Sequence, residues 1–332
     1  MLSEIRDALN LFDISDAISA VKYIFNEVFP TRIKIIAKVS FESRLPLIVK
    51  LSHEREHTRQ AIEEQSALSE CLRSFGIRTA RRYRSRGAYC AVVEGFGLSL
   101  HTTVEDYIGE EIAVITAELA AKIGVLLAQM HNISARNDLH INAATLFNAA
   151  GENDVSGYAT FVELHNGGKL DNALAEYIIS RYTERLERIR AAWAHLPTFA
   201  VQGDISVNNL TWIDGELGVF DYNNGGDEVL VSDMVLEGLL TAHEMDLADG
   251  LTDADRPALF TAFVDAYTRE RPLSQTEIAV LNDVYAVAES MWFSKIVHAD
   301  DSLEKLVERG ENDRATSVLR AVADILDAER FA

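Results

Sequence analysis

Two carboxylates and one amide stand in a pattern that chemistry can use. An apolar run from Phe199 to Val201 ends at Gln202-Gly203-Asp204, four residues lead to Asn209, and two further apolar runs flank Asp214-Gly215 before Asp221-Tyr222. Asp-Gly between such runs is a hairpin signal. With a three-residue connection Ile213 pairs with Leu217 and Asn209 faces Asp221; a two-residue turn shifts the register by one and leaves them adjacent. Asp204, at the mouth of the loop, completes the cluster. Singly, Asp204 and Asn209 would suit Asx turns. Together with Asp221, closing an apolar strand where an unpaired carboxylate is costly, they suit phosphoryl transfer, in which catalysis is positioning and charge neutralisation. One carboxylate accepts a hydroxyl proton; the other, with the amide oxygen, offers hard ligands to Mg²⁺.

Such a reaction also needs a cation for the phosphates and a group to aim it. Lys50 lies in the apolar stretch Leu47 to Leu51, and Glu64 lies on the helix that follows. Glu63 is equally placed by spacing, but the helical phase shared with Leu68 and Leu72 prefers Glu64.

The run Gly203-Asp204, four residues, Asn209 and a hairpin to Asp221-Tyr222 resembles the catalytic and metal-binding loops of aminoglycoside phosphotransferases and their choline-kinase and homoserine-kinase relatives. The likeness extends to Lys50, to Glu64 with Leu68, Leu72 and Gly76, to a hinge at Glu94 to Gly97, and to Leu127-Ala128-Gln129-Met130-His131. It implies an α+β, two-lobed protein-kinase-like fold, with a small N-terminal β-sheet lobe carrying one main helix and a larger, mostly helical C-terminal lobe. It also implies roles: Asp204 as catalytic base or hydroxyl-orienting residue, Asn209 and Asp221 as Mg²⁺ ligands, and Lys50 on the α- and β-phosphates of ATP (or GTP), paired with Glu64. Backbone groups of Val93, Glu94 and Gly95 would bind adenine, and Asp233 would be structural support. The chain departs from the pattern in two places. Gln202 replaces the usual histidine before Gly-Asp, and no glycine stands between Val21 and Val39 to form a phosphate-covering turn. A nucleotide-binding relative without turnover is therefore an alternative to the enzyme.

These residues must be held by elements. Arg32 to Phe41, Leu45 to Leu51 and Ala88 to Val93 read as strands, and Glu56 to Ser74 as a helix that Gly76 ends. Thr102-Thr103-Val104-Glu105 has capping-box spacing, and Glu111 to His131 is apolar nearly all round, as a central helix would be. Asp171 to Leu196, Asp255 to Arg269, Ser274 to His298 and Leu303 to Arg330 read as helical with breaks. His131 reads as a buried histidine bonded to nearby backbone. The two units are expected at residues 1–97, nucleotide-binding and ending in the hinge, and 98–332, with the catalytic loop, metal loop and acceptor site.

Charge divides the same way. The 332 residues carry a formal −21, with residues 1–97 at +3 and residues 98–332 at −24. So acidic a lobe repels nucleic acid and draws cations, and the alternating arginines from Arg82 to Arg86 fit the solvent face of a hairpin better than an RNA site. A small cationic acceptor of aminoglycoside type is the first expectation, against a wall of Asp227, Glu228, Glu237, Glu244 and Asp246; choline, ethanolamine, homoserine or a sugar-like metabolite are the others. Cys71 and Cys90 make neither a zinc spacing nor a disulfide framework, and there is no signal-peptide pattern and no apolar run of about eighteen residues. The expectation is a soluble, cytoplasmic protein without nucleic-acid or membrane partners.

Overall fold

The computed structural model describes residues 2–54, 58–143, 145, 147–150, 155–205 and 207–331. In chain order the elements are α1 (Leu2–Leu11), β1 (Ile18–Phe29), β2 (Arg32–Phe41), β3 (Leu47–His53), α2 (Arg59–Ser74), β4 (Arg78–Thr79), β5 (Ala91–Gly95), β6 (Leu98–Asp106), β7 (Val114–Ile115), α3 (Ala117–Arg136), α4 (Tyr158–Asn166), α5 (Asn172–Trp193), β8 (Thr198–Val201), β9 (Leu210–Ile213), β10 (Glu216–Val219), β11 (Gly226–Val229), α6 (Leu230–His243), β12 (Asp246–Leu247), α7 (Arg256–Glu270), α8 (Gln275–Ser290), α9 (Leu303–Glu308) and α10 (Asn312–Asp327). A π-helical turn, Ser294–His298, follows α8. The fold is the expected α+β arrangement of an N-terminal sheet and a larger helical part.

The sheet has five antiparallel strands in the order β1-β2-β3-β6-β5. Strand parity gives it two faces. Ile33, Ile35, Ala37 and Val39 of β2, Leu47, Val49 and Leu51 of β3, and Leu100 and Val104 of β6 pack with Ile5, Ala8 and Leu9 of α1 into one core. The intervening residues, Lys34, Ile36 and Lys38 of β2, Lys50 of β3 and Glu105 of β6, therefore share the opposite face and line a cleft. The second core surrounds α3, whose Ile123, Leu127 and Met130 pack among residues of α5, α6, α7 and α8. Thr116 caps α3, its hydroxyl accepting from Leu119 N, so this helix starts at Ala117, six residues later than its apolar run suggests.

Several expectations need correction. β1, with half-buried Val21, Tyr23 and Phe25 alternating with exposed Lys22, Ile24 and Asn26, forms a long hairpin with β2 closed by Pro30-Thr31, and was not anticipated. Nor were α1, α4 and the all-round buried α6. Thr102 to Glu105 is not a helix start but the middle of β6, where β-branched residues and pairing on both sides outweigh the capping-box spacing. Glu94 to Gly97 is not a hinge: Phe96 and Gly97 both have positive φ and make the tight β5–β6 turn, so the sheet runs on to Asp106 and a division at Gly97 would cut a hairpin. Arg82 is buried, so of the three alternating arginines the small turn at Arg86-Gly87 leaves Arg84 and Arg86 outside.

Candidate active site

β8 delivers the chain to Gln202, and Gly203 follows at φ +75°, where a Cβ would stand 2.5 Å from Asn224 O. Only glycine fits that turn. The buried Gln202 side chain then joins the two loops: Oε1 accepts from Asp204 N at 2.9 Å and Nε2 donates to Asp221 O at 2.6 Å. Asp204 Oδ2 accepts from Asn224 Nδ2 at 2.9 Å, and Asp204 O accepts from Asn209 Nδ2 at 2.8 Å.

The β9–β10 hairpin sets the third member. Asp214 and Gly215, both at positive φ, form the two-residue turn, pairing Ile213 with Glu216 and Leu210 with Val219. One step further Phe220 N donates to Asn209 O at 2.9 Å, so Asn209 and Asp221 are adjacent, in the shifted register. Asp221 is itself left-handed, φ +53°. Its Oδ1 lies 3.0 Å from Lys50 Nζ and accepts from Asn223 N. Burial opposes its charge, yet Lys50 and, behind it, Arg82 outweigh burial and hold the carboxyl below the usual range.

This donor set fits a hard divalent cation. Asn209 Nδ2 is spent on Asp204 O, which leaves Oδ1 as acceptor, and Lys50 and Asn223 N both meet the Asp221 carboxylate at Oδ1, leaving Oδ2. Among the described residues no group of three His, Cys, Asp or Glu could hold a metal alone; two oxygen ligands suit Mg²⁺, which keeps waters and shares phosphate oxygens.

Lys50 is where expected, but its partner is not. Lys50 Nζ is 3.4 Å from Glu105 Oε1, and Glu105 Oε2 is 2.8 Å from Arg82 Nη1. Glu64 instead accepts from Gln60 Nε2 and Asn142 N, and Glu63 accepts from Tyr89 N and Cys90 N. The α2 residue aimed at the metal loop is Gln65, which donates to Asn223 O and Gly225 O. Helical phase placed Glu64 with Leu68, but Leu68 and Leu72 pack into the larger core, away from Lys50.

The cleft holds about 520 Å³, walled by Lys22, Tyr23, Phe25, Lys34, Ile36 and Lys38 from the β1–β2 hairpin, by Lys50 and Glu105, by residues 106–111, and by Asn208, Asn209, Phe220 and Asp221. The crossing between sheet and helices is thus residues 106–111, and Val93, Glu94 and Gly95 do not line the cleft. Where a glycine-rich turn would lie, side chains of β1 and β2 face the cavity.

The acidic wall is also revised. Glu237 is interior, its Oε2 accepting from Ile205 N at 2.6 Å; burial, with Asp233 and Asp204 nearby, pushes its carboxyl well up. Glu228 is interior too, burial raising it to about 8. Asp227 is spent on His140 Nδ1 and Ile141 N. Glu244 accepts from Trp292 Nε1 and Ser294 Oγ, and Asp246 is exposed on β12. His131 bonds side chains, not backbone: Asp233 Oδ2 at 2.9 Å and Tyr267 OH at 2.7 Å, with burial lowering its pKa despite Asp233. Asp233, buried, ties α6 to α3 through this contact.

A model of the phosphotransferase enzyme family (APH) matches residues 38–276. The chain belongs to the phosphotransferase enzyme family. Its enzymes and their structural relatives are small-molecule kinases acting on hydroxyl groups. The phosphotransferase fold is shared with an amicoumacin kinase in complex with AMP-PNP and Ca²⁺ (TM-score 0.60, 12% identity, 98% of this chain and 96% of that chain). It is shared with a microcompartment-associated aminopropanol kinase (TM-score 0.60, 14% identity, 98% and 95%) and with an aminoglycoside phosphotransferase from Alicyclobacillus acidocaldarius (TM-score 0.57, 12% identity, 95% and 95%). No curated protein sequence matches this phosphotransferase. No helix among the described residues is long and apolar enough to cross a membrane.

Proposed function

We propose that this protein moves the γ-phosphate of ATP to a hydroxyl of a small cationic molecule, with Mg²⁺ as the divalent ion. One observation carries the proposal: Gln202 locks Asp204 and Asp221 into a single hydrogen-bonded unit with Asn209, at the base of a cleft whose roof bears Lys50. Asp204, oriented by Asn224, accepts or aims the acceptor's hydroxyl proton. Asn209 and Asp221 would hold the cation, which when bound neutralises phosphate charge. Lys50 meets the phosphates, and the apolar wall with residues 106–111 receives the base. Gln202 supplies the hydrogen bonds that make its replacement of histidine compatible with turnover.

Support for a cationic acceptor is the −24 carried by residues 98–332, with Glu244 and Asp246 as the surviving candidates to meet ammonium groups. The names of the related structures, an aminopropanol kinase and an aminoglycoside phosphotransferase, are compatible with amine-bearing acceptors. An Mg²⁺-dependent ADP-release screen over aminoglycosides, amino alcohols and sugars tests the reading. Turnover on one class, abolished by Asp204→Asn, is expected; ATP binding without turnover on any acceptor would favour a binding module instead.

A further inference from the structure

Lys50 carries a role that, in the proposed function, depends on where its ammonium is held. We infer that Glu105, backed by Arg82, is the positioning residue for Lys50, in place of a glutamate from α2. This inference rests on the phosphotransferase reading of the cleft.

The geometry is one of strand register. β3 and β6 are antiparallel neighbours with Lys50 opposite Thr103 and Ile48 opposite Glu105. Lys50 and Glu105 are thus diagonal on one face, within reach of long side chains. Glu105 presents Oε1 to Lys50 at 3.4 Å while Oε2 is fixed by Arg82 Nη1 at 2.8 Å. The side chains of Arg82 and Glu105 are only 4% and 3% exposed, and the two residues are also bridged as backbone neighbours. A carboxylate clamped this way cannot follow Lys50 about; it defines one place for the ammonium.

The second neighbour of Lys50 is Asp221 at 3.0 Å. Asp221 is also the proposed metal ligand, so its charge is shared once a cation is bound, and Glu105 is then the anchor that stays. Without Glu105 the ammonium would fall back on Asp221 and compete with the cation for its oxygens. All three glutamates of α2 are occupied elsewhere, Glu63 by two backbone amides, Glu64 by Asn142 N and Gln60, and Glu70 by Arg73 and Arg82 N.

Two opposing outcomes make the inference testable. If Glu105 were only a countercharge, removing it would leave more positive charge beside the phosphates and tighten nucleotide binding. If it positions Lys50, removing it weakens binding of phosphates but not of the base. The measurement is titration calorimetry of the full-length protein with AMP-PNP plus Mg²⁺ and, separately, with adenosine. For Glu105→Gln the expected result is AMP-PNP weakened roughly tenfold, about one factor of 1.4 kcal/mol, adenosine unmoved, and partial recovery in Glu105→Asp. The double variant Arg82→Gln/Glu105→Gln leaves no lone buried charge and reads the same question where the single variant does not fold. AMP-PNP bound as tightly or more tightly, or the loss appearing in Glu64→Gln instead, would overturn the inference while leaving the cleft a nucleotide site. Failure of the wild-type protein to bind AMP-PNP would overturn the reading beneath it.

Discussion

Gln202 donates through Nε2 to the backbone carbonyl of Asp221 at 2.6 Å while its Oε1 accepts from Asp204 N. A single buried amide therefore fixes the spacing between the proposed base and the proposed metal ligand. Substituting leucine removes both bonds and leaves a buried N–H and a buried carbonyl unpaired, at about 1–3 kcal/mol for each orphan. Gln202→Leu should lower kcat by about a hundredfold, with a smaller change in nucleotide affinity. Gln202→His, which can accept at one ring nitrogen and donate at the other, should stay within about tenfold of wild type by that reasoning. Steady-state kinetics on an active acceptor checks both; equal losses from leucine and histidine would mean that packing, not the paired bonds, matters here.

The same neighbourhood shows what could be read from residue order. Asp204, Asn209 and Asp221 were legible because a hairpin with a two-residue turn is a local object: Asp214-Gly215 sets the register, and register brings Asn209 beside Asp221. Lys50 was legible as a lone cation in an apolar strand. Its partner was not, because Glu105 meets it across β3 and β6, a pairing that depends on the order β1-β2-β3-β6-β5 and on no spacing in the chain. Glu228 and Glu237 misled for a related reason. Charge suggests a surface, whereas α6 is buried on every side and carries Glu237 into the core against Ile205 N.

Arg82 should be costly to neutralise. It is buried against Glu105, and removing it leaves that carboxylate with only the longer Lys50 contact at 3.4 Å, a loss towards the lower end of the about 3–5 kcal/mol for breaking a buried pair. Arg82→Met should lower stability by about that amount in urea unfolding, and Arg82→Met/Glu105→Leu should recover much of it. No recovery in the double variant would show that Arg82 acts mainly through its packing.

Glu228 makes a pH prediction. Burial raises its carboxyl to about 8, with Val229 N and the Thr145 hydroxyl only partly compensating. The folded protein therefore holds this proton more tightly than the unfolded chain, whose value is near the ordinary 4.5. The resulting stability is fully present below about pH 4.5 and is lost as pH rises through about 8. Glu228→Gln, with no proton to lose, should unfold at a more nearly constant temperature between pH 5 and pH 8.5, on the order of the window itself. Thermal unfolding of both proteins across that window measures the difference; parallel curves would place the Glu228 proton outside it.

Lys34 offers an answer to the missing glycine-rich turn. It lies on β2 with Ile36 and Lys38, on the face shared with Lys50, and opposite Ser52 of β3, while Ile36 is opposite Lys50. Lys34 and Lys50 are thus diagonal neighbours at the roof of the cleft, with the Lys34 ammonium 5.4 Å from the Phe25 ring centroid. Backbone amides of a flexible turn can wrap phosphates only where glycine permits it; the hairpin closed by Pro30-Thr31 has no such freedom. A side-chain ammonium reaching down from a rigid strand would supply the charge instead. Lys34→Ala should raise KM for ATP by roughly tenfold, the worth of one charge-assisted hydrogen bond, and flatten the rise of KM with salt. Lys34→Arg should keep most of the affinity, and adenosine binding should be untouched in both, since the proposed seat of the base is residues 106–111. A KM for ATP unchanged in Lys34→Ala would return the covering of the phosphates to the β1–β2 backbone.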